Sequence, residues 1–214
     1  MRSADAITLV RTLMAVPAAY MVLAKFSPVW ITVLIAAIMA LDMFDGYAGL
    51  REASGGSLGF FEYISAVLGD RKAKDHVSKY KKFMVMSAAY GARIDIAGDR
   101  AVEYIFWIVY TVVGLVPLWV TFLIVLRHSF VDALMGAKGT SSEMKSRFAR
   151  AVYASPAGRA VTPVLKFVTF SYLSFVYVLG YPLIYGQALV GLLVFFIMLR
   201  GYAEFLEFKA GTRG

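Results

Sequence analysis

The sequence predicts an all-α integral membrane protein, six transmembrane helices around a polar cavity that faces the cytoplasm. Three observations predict it. The chain is 60% hydrophobic over 214 residues, with a mean hydropathy of +0.69, where a soluble domain carries about 45–50% apolar residues. The excess is gathered into long runs separated by short turns or by charged connections. Four aspartates sit at the ends of two of those runs, where a carboxylate is costly enough to demand a role.

Taken in order, the candidate spans lie near 6–24, 28–49, 93–113, 116–135, 160–179 and 182–206, each of roughly membrane-crossing length. The first lacks a small-residue cleavage site after a short core and reads as a retained span, not a signal peptide. KFSP at 25–28, GLVP at 114–117 and LGYP at 179–182 are turns built on Gly or Pro. The connections at 50–92 and 136–159 are long and charged. Arg2, Arg11, Arg51, Arg71, Lys72, Lys74, Lys79, Lys81, Lys82 and Arg93 fall on one side. Lys138, Lys145, Arg147, Arg150, Arg159, Lys209 and Arg213 join them if the spans alternate, and Lys25 stands opposite. The bias of basic residues places both termini and both long connections in the cytoplasm.

Composition narrows the chemistry. There are no cysteines and only two histidines, His76 and His128, which excludes disulfides, thiolate metal sites and a zinc site built on several imidazoles. Any metal must rest on carboxylates, favouring Mg²⁺, Mn²⁺ or Ca²⁺. The net charge of +8 suits anionic headgroups or phosphorylated substrates, and no motif supports nucleic-acid binding.

The aspartates are paired. Asp42 and Asp45 in LDMFDGYAGLR are three apart, and Asp95 and Asp99 in GARIDIAGDRAVEY are four apart. Each pair shares a helix face. Two helices turning these faces together make an oxygen-lined site for hard divalent cations. Simple helix-end ion pairs of Asp95 and Asp99 with Arg93 and Arg100 are the plainer alternative.

These residues resemble the signature of the CDP-alcohol phosphotransferase family, D-x2-D-G-x2-A-R-x8-G-x3-D-x3-D. Its first half matches Asp42-Met43-Phe44-Asp45-Gly46-Tyr47-Ala48. Its second half matches Gly91-Ala92-Arg93-Ile94-Asp95-Ile96-Ala97-Gly98-Asp99. The spacing between the halves is restored by removing residues 60–91, with Gly59 then the motif glycine, or equivalently 59–90, which keeps Gly91 in that place. The chain thus looks like a single-domain family member, 1–214, with an insertion at 60–91 between the second and third spans. The family's Ala-Arg is Gly49-Leu50 here, and Arg51 follows one residue later.

The resemblance implies a reaction and a set of roles. Family members transfer a phospho-alcohol group from a CDP-alcohol, such as CDP-diacylglycerol or CDP-archaeol, to an alcohol acceptor and release CMP. Asp42, Asp45, Asp95 and Asp99 would hold Mg²⁺ or Mn²⁺, two ions in all, with Asp99 also the catalytic base. Gly46, Gly49, Arg51 and Gly91 would meet the nucleotide. On the acceptor side, Arg127, Arg159, Lys166 and Arg200 suit a phosphorylated polyol such as inositol phosphate or glycerol phosphate. The stretch SPAGRAVTPVLK (155–166) resembles the Ser-Pro-x-Gly-Lys-x-x-Thr segment of many relatives. A homodimer within a prokaryotic plasma membrane, with the active site in the cytoplasm, completes the expectation. An ion-coupled transporter and a diverged, non-catalytic lipid-binding member are the alternatives.

Residues 60–91 are apolar at both ends and basic in the middle. Neither apolar piece spans a bilayer, so one or two short interfacial helices are expected, with a solvated loop as the alternative and a lid over the aspartates as a further hypothesis. His128 precedes Asp132 by four and reads as half of a helix-surface pair. His76, in a lysine-rich run, receives no special role.

Overall fold

Gly and Pro breaks divide the chain into helices, and the computed structural model describes residues 3–87, 91–135, 146–154 and 156–211. Among these residues there are helices and turns but no strand. The helices are α1 (Ser3–Leu23), α2 (Pro28–Ala53), α3 (Phe60–Leu68), α4 (Arg71–Ser87), α5 (Gly91–Val112), α6 (Leu118–Met135), α7 (Arg147–Ala154), α8 (Pro156–Leu179) and α9 (Leu183–Gly211). Pro28 opens α2 in the first turn, where its missing N–H costs nothing. Gly114 (φ 77°) and Gly180 (φ 71°) close α5 and α8 in the left-handed conformation that favours glycine.

Six helices form a ring. Contacts run from α1 to α2, α8, α9, α6 and α5, and back to α1. Small residues on α1 (Ala15, Ala18, Ala19) face Ile31, Ile35 and Ile38 of α2 in one buried core. Across the ring, Phe106 and Tyr110 of α5 stack on Phe170 of α8. The buried Tyr110 hydroxyl donates to the Phe170 carbonyl at 2.6 Å and shares a hydrogen bond with Ser174 at 2.7 Å. These aromatics fill the middle of the bundle.

Among the described residues, four helical segments are long and apolar enough to cross a membrane: Ser3–Leu23, Pro28–Ala53, Ala160–Leu179 and Leu183–Lys209. The outward faces agree with that reading. Leu13, Trp30, Trp119, Phe122, Val164 and Phe195 are all more than half exposed, which soluble monomers avoid over large areas. Helix α5 falls outside this group because Asp95, Asp99, Arg100 and Glu103 interrupt its apolar sequence.

The segment 60–91, where one or two short helices are expected, contains α3 of 9 residues and α4 of 17. They fold into a hairpin that packs on α2 through a separate small core of Leu50, Leu58, Ala66 and Val77. The left-handed Gly69 (φ 109°) turns α3 into α4. Residues 136–145, in the middle of the second long connection, lie outside the described residues.

Candidate functional site

Arg11 is the centre of the site. It lies in α1, with its side chain only 3% exposed, and all four aspartates reach its guanidinium. Nη1 meets Asp42 Oδ1 and Asp99 Oδ1, each at 2.7 Å. Nη2 donates to Asp95 Oδ1 at 3.0 Å, and Nε lies 3.1 Å from Asp45 Oδ2. The two pairs therefore do turn together, α2 supplying one and α5 the other. Asp45 is the buried member and accepts a hydrogen bond from Thr8 Oγ1 at 3.0 Å. The side chains of Asp42, Asp95 and Asp99 keep 43–51% of their surface exposed. Close approach of α1 to α5 depends on Gly98, where a Cβ would come within 2.6 Å of Thr8 Cγ2 and 2.9 Å of Thr12 Oγ1.

A divalent ion fits this donor set. Asp42, Asp45 and Asp95 each offer an oxygen within 4.8 Å of one another, an arrangement that could hold an ion. Asp99 stands outside that triangle but shares Arg11 Nη1 with Asp42. Four carboxylates around one guanidinium leave an excess of negative charge, and hard oxygen donors suit Mg²⁺ or Mn²⁺. Arg11 is itself a cation in the same space and competes with any metal there. The helix-end pairing of Asp99 with Arg100 does not form as its main contact. Arg100 instead makes a two-pronged contact with Asp132 of α6, at 2.7 and 3.1 Å.

A cavity of about 300 Å³ opens beside the aspartates and is lined by all six ring helices. Arg11, Asp42 and Asp99 line it. So do Arg100, Arg127, Lys166 and Arg200, with Glu103, Glu204 and His128. Phe106, Phe170 and Ile35 line its apolar part. Three of the four residues expected on the acceptor side, Arg127, Lys166 and Arg200, thus meet in one cavity. The side chain of Arg159 lies outside the described residues. Lys166 turns inward, its Nζ 2.6 Å from Glu103 Oε2. Arg127 binds Glu204 at 2.5 Å, which ties α6 to α9. Gly201 makes room for that pair, since a Cβ there would lie 2.6 Å from Arg127 Nε.

The nucleotide-side residues are more scattered. Gly46 is covered by α3, because a Cβ would meet the Tyr63 hydroxyl at 2.8 Å. The close approach that its bare backbone permits is made by the α3 helix. Gly49 is buried in α2, and the exposed Arg51 lies over the Tyr47 ring at 6.0 Å. Gly91 begins α5. Leu50, where the family pattern has Arg, is 3% exposed in the hairpin core.

Sequence reasoning missed three residues. Arg11 counted only as a marker of the basic side. Glu103, 2% exposed, holds Lys166, accepts from Trp107 Nε1 at 3.3 Å and lies 3.9 Å from His128. His128 is not half of a surface pair with Asp132. It is 2% exposed and lines the cavity, because α5 takes Asp132 for Arg100. A charged residue deep within an apolar run was the available signal for Arg11 and Glu103.

No protein-family model, curated protein or solved structure matches the chain.

Proposed function

We propose that this chain transfers a phospho-alcohol group from a CDP-alcohol lipid to a phosphorylated alcohol, releasing CMP. One observation carries the reading: four aspartates converge on Arg11, and two of them, Asp42 and Asp99, line a cavity that Arg100, Arg127, Lys166 and Arg200 also line. Carboxylates and cations around one space suit two anionic partners meeting at an ion, a diphosphate near the aspartates and a phosphorylated alcohol near Arg127, Lys166 and Arg200.

Asp42, Asp45, Asp95 and Asp99 would hold Mg²⁺ or Mn²⁺, which when bound neutralises charge developing on the diphosphate. Arg11 supplies a fixed positive charge that keeps the four carboxylates together. Arg127, Lys166 and Arg200 attract and orient the acceptor phosphate. The acceptor hydroxyl oxygen attacks the phosphorus that bears the lipid alcohol. The bond from that phosphorus to the bridging oxygen breaks, and CMP leaves with the electron pair. Asp99, on the cavity wall, takes the hydroxyl proton.

The proposal includes six spans, with both termini and the α3–α4 hairpin on the cytoplasmic side, and pairing of two copies in the bilayer. Support for α5 and α6 as spans comes from the direction of their charges. Asp95 and Asp99 meet Arg11, Arg100 meets Asp132, Glu103 meets Lys166 and Arg127 meets Glu204. Hydropathy counts such residues as polar although they are satisfied inside the ring.

The test is CMP release from CDP-diacylglycerol or CDP-archaeol with Mg²⁺, across a panel of labelled polyol phosphates. Release that requires both the metal and one acceptor, and that Asp99→Asn removes, supports the transferase. A second reading, a non-catalytic lipid-binding protein, draws on Arg11 already answering all four carboxylates. Tight donor binding with no CMP release in any combination would favour it.

A further inference from the structure

The α3–α4 hairpin has two unlike faces. Its inner face is fixed to α2: Phe60 stacks on Phe44 at 5.3 Å, Tyr47 Oη donates to the Leu58 carbonyl at 3.3 Å, and Tyr63 sits on Gly46. His76 of α4 joins Glu62 of α3 and lies 3.3 Å from Tyr80 Oη, so the two helices form one unit.

The outer face is open and apolar. Phe61 is 85% exposed and Leu68 77%. Seven residues apart, they share one side of α3. Past Gly69 and the exposed Asp70 the chain turns cationic: Arg71, Lys72, Lys74 and Lys79 are all exposed. Helix Arg71–Ser87 holds six basic residues against one acidic. Large apolar side chains beside a dense positive charge match the boundary between acyl chains and anionic headgroups. Position agrees with charge, since the hairpin rests on the C-terminal end of α2, the charged end of an apolar helix.

We propose that this hairpin face docks on an anionic bilayer surface, Phe61 and Leu68 entering the acyl boundary and the α4 lysines meeting headgroup phosphates. The inference stands apart from the transferase reading, because it uses none of the aspartates or the cavity.

The chain has no cysteine, so Leu68→Cys carrying an environment-sensitive dye reports on this face alone. The labelled full chain is placed in nanodiscs of phosphatidylcholine, or of phosphatidylcholine and phosphatidylglycerol in equal parts. The expected result is a blue-shifted dye in the anionic discs and a smaller shift in the neutral ones. Replacing Lys72, Lys74 and Lys79 with Ser, all on the surface, lowers the buried-to-exposed ratio by up to roughly five-fold per charge. Hydrogen exchange over 60–80 checks that the hairpin remains folded in each variant. A dye that stays in water in both discs overturns the proposal. So does a shift indifferent to lipid charge, or one that appears only with two chains per disc, which would assign the face to a second copy.

Discussion

Gly98 of α5 lies so close to Thr8 of α1 that a Cβ would come within 2.6 Å of the threonine methyl. The contact sits between the two helices that bring Arg11 to Asp95 and Asp99. Gly98→Ala is expected to separate them and destabilise the protein by about 1–3 kcal/mol, the usual cost of overpacking. Divalent-ion affinity should fall in parallel, read by calorimetric titration. Unchanged stability and affinity would show that the threonines simply rotate away.

Arg11→Met removes the charge that answers all four carboxylates. Breaking a buried pair costs about 3–5 kcal/mol, but three of these aspartates are half in water and the loss should fall near the lower end. Mg²⁺ should restore more thermal stability to the variant than it adds to the wild type, because the ion then has no tethered competitor. Equal shifts in melting temperature for both proteins would argue against competition at one site.

Glu103 anchors Lys166 from a position 2% exposed. Glu103→Gln keeps the shape but strands the cation, at a cost of about 3 kcal/mol. Pairing it with Lys166→Met should recover much of that loss. A double-mutant cycle measures the recovery, and strict additivity would mean that the 2.6 Å contact is not energetically coupled.

Leu50→Arg restores the residue type of the family pattern, yet the side chain points into the hairpin core with Leu58, Ala66 and Val77. The expected effect is faster hydrogen exchange across 58–80 and no gain in CMP release, since an unpaired charge there is costly. A gain in turnover with an intact hairpin would place position 50 in the nucleotide site after all.

Much of the architecture was legible because its cues are local. The turns at KFSP, GLVP and LGYP fall where α1, α5 and α8 end. Asp42, Asp45, Asp95 and Asp99 could be paired from helical spacing alone. What was hidden depends on which helices touch. Nothing in residues 6–24 says that Arg11 will face Asp95, since that meeting is made by packing α1 on α5. His128 and Asp132 have perfect spacing for each other, but Arg100 on a neighbouring helix wins Asp132 with two hydrogen bonds. Leu50 looked like the loss of a phosphate ligand, and its burial became apparent only when the hairpin had a place.

The carboxylates and their arginine all come from α1, α2 and α5, whereas Arg127, Lys166 and Arg200 come from α6, α8 and α9. Under the proposed transfer reaction, chemistry and selectivity would thereby be inherited from different halves of the gene. Descendants of such a chain could then alter the second half and acquire a new taste in small molecules, while the first half kept its reactive apparatus untouched.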